Sequence, residues 1–158
     1  MQLPHFETNR ISAYDAEKHH SKGAYKLINF YTIFITVCFL IATPIAVIYT
    51  NEVDFWQNIA RILTSPSKLV TDYFALGGLG SSFFNAAVCG LATNVIIILS
   101  RVEAKATTLA GYMLVVAHCF YGLNFLNMWP TIFGVLLFCF VCKKSFADNV
   151  HTALFSTA

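Results

Sequence analysis

The chain has 158 residues, of which 57% are hydrophobic and 11% are charged. A soluble domain usually carries about a quarter charged residues, so this chain has too little polar surface to cover a water-facing globule. The formal net charge is +2, and the ten lysines and arginines are scattered between apolar runs, which argues against a nucleic-acid partner. We therefore expect an all-α, polytopic transmembrane protein whose main partner is the lipid bilayer.

The N-terminal segment 1–26 is polar, and we predict a cytoplasmic tail there. The apolar run that follows is longer than the core of a signal peptide and has no small-residue cleavage site after it. It therefore predicts a first span over 27–49, which at ~1.5 Å per residue covers about 34 Å. Thr32, Thr36 and Thr43 lie near one face, where a threonine bonds back to its own helix or across to a neighbour. Pro44 is predicted to kink this span.

The next segment, 52–64, is too short to span a bilayer, and its apolar residues fall on one face. Asn51 is a candidate cap, with Asp54 near the positive end of the helix dipole. We predict an interfacial helix that lies along the membrane surface, with Trp56 at headgroup level.

Ser65 and Pro66 predict the start of another helix, over 66–76, which ends at Gly77 and Gly78. Eleven residues give ~16 Å, about half a bilayer. We therefore expect a half-helix that either re-enters the membrane or lies on its surface.

A second full span is predicted over 81–100. Small residues recur at every fourth position through this stretch, at Gly78, Ser82, Ala86, Gly90 and Asn94. Spacing of four puts them on one helix face, where another helix can approach closely.

A third span is predicted over 106–126 and a short fourth one over 128–142, joined by the uncharged turn GLNFLNMWP. In that turn Asn127 is a candidate cap for the fourth span, with Pro130 in its first turn. The apolar stretch 151–158 reads as the beginning of a further segment, and we interpret the chain as a fragment or a truncated relative of longer proteins.

The distribution of cationic residues predicts the topology. With the N-terminus inside, eight lysines and arginines lie in inner segments and two in outer ones, where the acidic Glu52, Asp54 and Asp72 also lie. The bias favours a multi-pass protein of the cell membrane with a cytoplasmic N-terminus and one transmembrane domain over 27–158.

The cysteines and histidines do not predict a metal centre. All five cysteines lie in apolar runs, where a cysteine is usually a small buried hydrophobic residue. Cys139 and Cys142 have C-x-x-C spacing, but no second pair or histidine stands at zinc-site spacing. We expect neither a metal nor a cofactor.

Two stretches, KLVTDYFALGGLGSSFFNAAVCGLATN (68–94) and SRVEAKATTLAGYMLVVAHCFYGLNFLNMWP (100–130), resemble a family of bacterial membrane proteins catalogued as domain of unknown function 1576. The resemblance covers the chain from about Leu27 to its end. It implies longer proteins with two related halves, each with a D-Y-F-x-x-G-G-like segment, which here begins at Asp72. By this resemblance the chain corresponds to the first half, and the remaining half or a second copy is a partner. The family carries no established substrate.

Several polar or glycine positions are candidates for contact with a solute. They are Asp72, Gly77, Gly78, Ser82, Asn85, Asn94, His118, Asn124 and Asn127. An ionisable residue at membrane depth is a functional candidate by default, and glycines at a helix break free backbone groups for a solute. Each position also has a structural alternative: Asp72 solvated at the surface, the glycines forming a plain turn, the asparagines and His118 bonded to neighbouring helices or capping them.

The leading functional hypothesis is half of a secondary transporter for a small solute or ion, because two of the predicted elements are broken or short. The alternative is a non-transporting membrane scaffold or assembly subunit, in which the small-residue face is an interface. We do not expect an enzyme, because the sequence contains no H-E-x-x-H and no G-x-S-x-G motif.

Overall fold

The computed structural model describes residues 5–66, 71–102 and 105–158, and the side chains of these from residue 26 onward. Within these ranges every regular element is a helix. The helices are α1 (His5–Tyr49), α2 (Phe55–Thr64), α3 (Tyr73–Gly77), α4 (Leu79–Leu99), α5 (Ala106–His118), α6 (Trp129–Val141) and α7 (Phe146–Thr157).

Two of these helices are long and apolar enough to cross a membrane: the part of α1 from Lys26 to Tyr49, and α4. They correspond to the first and second predicted spans. Helix α1 is continuous from His5 and 45 residues long, so most of the N-terminal segment extends the first span as helix.

The third and fourth predicted spans are shorter than expected. Helices α5 and α6 each contain 13 residues, about 20 Å of helix against a hydrocarbon core of about 30 Å. The structure therefore has two candidate spans among the described residues, and not the predicted four. Helix α5 ends early because Gly122 adopts a left-handed backbone (φ 104°), and the Leu123 N–H donates to the His118 carbonyl at 3.0 Å, as in a Schellman turn.

The connector after α1 also differs from its prediction in detail. Helix α2 begins at Phe55, with Asp54 and not Asn51 at the capping position. Asn51 instead has a φ of 50°, and the Glu52 N–H after it donates to the Val47 carbonyl at 3.1 Å. Asn51 is thus the left-handed residue that ends α1.

The predicted half-helix is much shorter than 66–76. Ser65 ends α2, where its N–H donates to the Ile62 carbonyl, and α3 contains only the five residues Tyr73–Gly77. The non-helical residues Pro66 and Thr71 flank positions 67–70, which lie outside the described residues. The local signal of a serine followed by proline marked the end of one helix and not the start of the next.

At the C-terminal end, α7 begins at Phe146, five residues before the apolar stretch at 151 that was predicted to start a further segment. It packs against α5 and α6. Gly111 of α5 allows α7 to pack closely against α5, because a Cβ at position 111 would lie 3.0 Å from the Cβ of Leu154.

Helix α4 is the centre of the packing. Helix α1 lies along it, and α2, α3 and α5 also contact it. The small-residue face is buried at Ser82, Ala86 and Asn94. At Gly90 a Cβ would stand only 3.1 Å from the hydroxyls of Thr36 and Tyr112, so the glycine allows α1 and α5 to meet α4 closely. This face is therefore filled by helices of the same chain.

Helix α1 comes close to α4 at Gly80, where an added Cβ would overlap Val47 and come within 3.1 Å of the Val47 backbone nitrogen. We expect Gly80→Ala to lower the free energy of unfolding by about 1–3 kcal/mol, since overpacking forces backbone to move. The measurement is unfolding by sodium dodecyl sulfate in mixed micelles, followed by circular dichroism. Gly134→Ala is the control: nothing lies within 4 Å of its Cβ, so helix propensity makes that variant equal or up to about 1 kcal/mol more stable. Equal stability of both variants would contradict close packing at Gly80.

Candidate functional site

The candidate site lies at the junction of α3 and α4, where the single residue Gly78 ends one helix and begins the next. Its backbone has φ 86° and ψ 174°, which a residue with a Cβ adopts only with strain. The Gly78 N–H donates to the Phe74 carbonyl at 3.0 Å, and its carbonyl accepts from the Ser82 N–H at 3.3 Å. The chain thus breaks at the position for which the sequence predicted a break.

A carboxylate covers the start of α4. Glu52, in the loop after α1, accepts hydrogen bonds from the N–H groups of Gly80 and Ser81 at 2.9 and 3.3 Å. It also accepts from the Ser81 hydroxyl and from Asn58 Nδ2 of α2 at 3.2 Å. A helix has unpaired N–H groups and partial positive charge at its start, so an acidic group there is favourable.

Glu52 was not among the residues predicted for the site. The sequence placed it only among the acidic residues of an outer segment. Its role depends on the turn at Asn51, which carries the chain back over the start of α4, and a contact 28 residues away along the chain has no local sequence signal. The glycine and serine run at 77–82 was the one indication that a polar group would meet the backbone here.

A small cavity lies beside Glu52. Its volume is about 80 Å³, and Ser81 and Asn85 are the polar residues among its lining. Apolar side chains of α2, α4 and the turn after α5 form the remaining wall: Ile59, Ile62, Leu63, Phe84, Val88 and Phe125. Pockets for small molecules usually have about 300–1,000 Å³, so in this conformation the cavity is too small for a solute molecule.

Asn85 connects α4 to the end of α5. Its Nδ2 donates to the carbonyls of Cys119 and Leu123, each at 2.9 Å, and its Oδ1 lies 3.8 Å from the Cys89 sulfur. The carbonyls at a helix end lack partners within the helix, so Asn85 satisfies them from a neighbouring helix.

Asn124 and Asn127 hold the turn between α5 and α6. Asn124 is 1% exposed, and its Oδ1 accepts from the N–H groups of Leu126 and Asn127, each at 3.0 Å. Its Nδ2 donates to the Ile62 carbonyl at 2.9 Å and to the Tyr73 hydroxyl at 3.2 Å. The turn is therefore tied to α2 and α3. Asn127 was predicted to cap α6, but Met128 holds that position.

Asn94 belongs to a second polar group, between α1, α4 and α5. Its Nδ2 donates to the Thr36 hydroxyl at 2.9 Å and to the Thr32 carbonyl at 3.3 Å. The Thr36 and Tyr112 hydroxyls lie 2.7 Å apart. Nine residues separate Asn94 from Asn85, about 13 Å along α4, so this group is distinct from the junction.

Asp72 and His118 have local partners. Asp72 is exposed, and its side chain accepts from the N–H groups of Phe74 and Ala75 at 2.9 and 3.3 Å, so it caps α3. His118 is half-buried, and its Nδ1 lies 2.8 Å from the Leu114 carbonyl of its own helix.

The structure thus brings six of the nine predicted positions to one region: Gly77, Gly78, Ser82, Asn85, Asn124 and Asn127. Across the described side chains, every buried side-chain nitrogen or oxygen has a hydrogen-bond partner, and no three His, Cys, Asp or Glu residues converge as metal ligands would. The arrangement offers backbone N–H groups, hydroxyls and amides, which can bind a polar or anionic group.

The comparisons with known proteins give one match. A family model described as "Protein of unknown function (DUF1576)" matches residues 51–158, from the turn after α1 through α7. The matched region starts later than the expected position near Leu27. No curated protein and no solved structure matches the chain significantly.

The Glu52 contacts predict a stability effect. We expect Glu52→Gln to lower the free energy of unfolding by about 1 kcal/mol, through loss of charge at the start of α4, and Glu52→Ala by about 2–3 kcal/mol, because N–H groups lose their acceptor. Unfolding in mixed micelles measures both. Asp54→Ala is the control, since Asp54 is exposed and makes no capping hydrogen bond, and we expect a change within about 0.5 kcal/mol. An equal loss of unfolding free energy in Glu52→Ala and Asp54→Ala would show that the hydrogen bonds of Glu52 do not stabilise the start of α4.

Asp72 allows a separate test of charge against capping. Asparagine caps helices about as well as aspartate, so we expect Asp72→Asn to keep the stability of the parent and Asp72→Ala to lose about 1 kcal/mol. The melting temperature in detergent reports both. A loss in Asp72→Asn as large as in Asp72→Ala would mean that the negative charge itself has a partner.

Proposed function

Because this chain belongs to the DUF1576 family, for which no function is known, we propose its role from its own geometry. We propose that it is a membrane-embedded part of a secondary transporter for a small solute, and that the junction of α3 and α4 contacts the solute.

The proposal that the chain is embedded in a membrane is supported by its surface as well as by its two candidate spans. Large apolar side chains on the outer side of α1 are 42–76% exposed: Leu27, Phe30, Ile33, Phe34, Val37, Leu40, Ile41, Ile45 and Ile48. Such a continuous apolar face is rare on a soluble monomer and is suited to lipid. The bias of lysine and arginine favours a multi-pass arrangement with a cytoplasmic N-terminus, in which α5 and α6 enter the membrane as shorter helices.

Non-helical backbone is tolerated at membrane depth only where protein or a water-filled cavity satisfies it. Both interruptions near α4 meet this condition. The junction at Gly78 is covered by Glu52, and the turn after α5 is bonded by Asn85 and Asn124. Because side chains of the same chain satisfy the non-helical backbone, α3, α5 and α6 can be short elements inside a membrane protein.

The observation that carries the transport proposal is the broken helix with its N–H groups aimed at a carboxylate. In secondary transporters, discontinuous helices present their N-termini to anionic groups of the solute. Here Glu52 takes that position, beside a cavity of about 80 Å³. We interpret this as a closed conformation in which Glu52 keeps the start of α4 occupied until a solute with an anionic or hydrogen-bond-accepting group replaces it. Helices from the remaining half of a longer chain, or from a second copy, complete the pathway.

A non-transporting scaffold or assembly subunit is the second candidate. It is favoured by the complete pairing of buried polar side chains in the described ranges, which is typical of a stable structural unit. The small-residue face of α4 is not its interface, however, because α1 and α5 already fill that face. A scaffold would use another surface.

Access of water to the cavity distinguishes the two candidates. In a background in which the exposed native cysteines Cys38 and Cys142 are serine, we expect Ser81→Cys to react with a membrane-impermeant maleimide in intact membranes. Ser81 lines the cavity and contacts Glu52, so each opening exposes it. Ser82→Cys is the matched control, since the neighbouring Ser82 is equally buried but bonds to the Gly78 carbonyl and does not line the cavity.

A transporter predicts faster labelling at position 81 than at 82, and a further increase when Glu52→Gln weakens the closed state. A scaffold predicts slow and equal labelling at both positions, and no response to Glu52→Gln. The second result would remove the junction as a solute site.

A further inference from the structure

Helix α6 is only sparsely covered by the other described helices. It packs mainly against α7, and only Ile132 and Cys139 among its 13 residues are buried. On one side, α6, the end of α4 and the start of α7 enclose an open groove of about 420 Å³. Its volume is in the range of ligand pockets, and most of its lining is apolar: Ile96, Leu99, Trp129, Ile132, Leu136 and Phe146.

One end of this groove is cationic. Ser100 and Ser145 form its polar lining. Arg101 directly follows Ser100, and Lys143 and Lys144 directly precede Ser145. All three cationic residues are exposed. Asp148, in the first turn of α7, is an exposed acidic residue near the same end, and among the described residues the cationic side chains here outnumber it.

The backbone at this end adds an independent observation. Arg101 and Lys143 have φ values of 49° and 52°, and each lies just after the last residues of a helix, α4 and α6. Glycine usually takes such left-handed positions at a helix end. A non-glycine residue there has a conformational cost. Two cationic residues, each within two positions of a groove-lining serine, thus hold a backbone conformation that favours glycine.

We propose that this groove binds an anionic phospholipid, with an acyl chain along the apolar wall and the phosphate at Arg101 and Lys143. The occupant has to be apolar along its length and anionic at one end. A second copy of this chain would bring its own cationic helix ends against these charges. Basic pockets between helices at the cytoplasmic side of membrane proteins bind lipid headgroups in this way. The proposal rests on the membrane embedding proposed above and not on transport.

The test uses Trp129 as a reporter inside the groove. The chain has two tryptophans, so Trp56→Phe leaves Trp129 as the single source of tryptophan fluorescence. The full chain is titrated in detergent micelles with phosphatidylglycerol or phosphatidylcholine whose acyl chains carry bromine, a contact quencher. We expect phosphatidylglycerol to quench Trp129 at a lower mole fraction than phosphatidylcholine does.

Arg101→Asn and Lys143→Asn remove charge and keep a residue that tolerates the left-handed backbone. We expect each to weaken the preference for phosphatidylglycerol about fivefold, and the double variant about 20- to 30-fold. Lys26→Gln is the control, since it removes one exposed positive charge at the start of the first candidate span and not beside a groove residue. We expect this variant to keep the preference for phosphatidylglycerol.

Three results would overturn the proposal. The first is equal quenching of Trp129 by both lipids, and the second is a loss of lipid preference in Lys26→Gln as large as in the Arg101 and Lys143 variants. The third is a dimer, detected by light scattering, in which Trp129 is quenched only after the dimer dissociates. The last result would make the groove an interface between copies. Flotation of the chain with phosphatidylcholine vesicles tests the embedding by itself. A chain that floats but shows no lipid preference fails this inference alone, whereas a chain that does not float fails the proposed function.

Discussion

The close contact of α1 with α4 is the constraint on which the other contacts depend. Between apolar helices in lipid, association depends on packing and on interhelical hydrogen bonds, because lipid is as apolar as the side chains. Gly80 and Gly90 remove the side chains that would hold the helices apart. This proximity lets Thr36, Asn94 and Tyr112 bond to one another, and it places the turn after α1 over the start of α4. The position of Glu52 is therefore a consequence of how closely two helices pack.

The need to pair polar backbone groups accounts for the positions of the asparagines. Asn85 and Asn124 do not line an open pathway in this conformation, since they bond to carbonyls and N–H groups where α5 ends and the turn to α6 begins. A helix end leaves such groups without partners within the helix. Side-chain amides, which donate and accept, can satisfy both kinds. Asn85 of α4 and Asn124 within the turn thus satisfy these groups, and they connect the turn to α2, α3 and α4.

The sequence predicted the all-helical class, the two long apolar helices and the break at Gly78, because each has a strong local signal in length, hydrophobicity or glycine content. It did not predict the end of α5, since the apolar run continues through Phe125 and Leu126 and only the backbone at Gly122 reveals the turn. The serine and proline at 65–66 suited a helix start, but the chain leaves α2 there. Six candidate site residues do converge. Glu52 was missed because its contact with Gly80 depends on tertiary structure, and Asp72 proved to be a local cap.

Helix α1 runs without interruption for 45 residues, about 68 Å at ~1.5 Å per residue, whereas a bilayer core is about 30 Å thick. If its second half crosses the membrane, its first half extends beyond the bilayer core by nearly the same distance. The other end of α1, Tyr49, lies three residues before Glu52, whose carboxylate accepts a hydrogen bond at the start of α4. A single helix therefore joins the N-terminal segment to the loop that covers the start of α4.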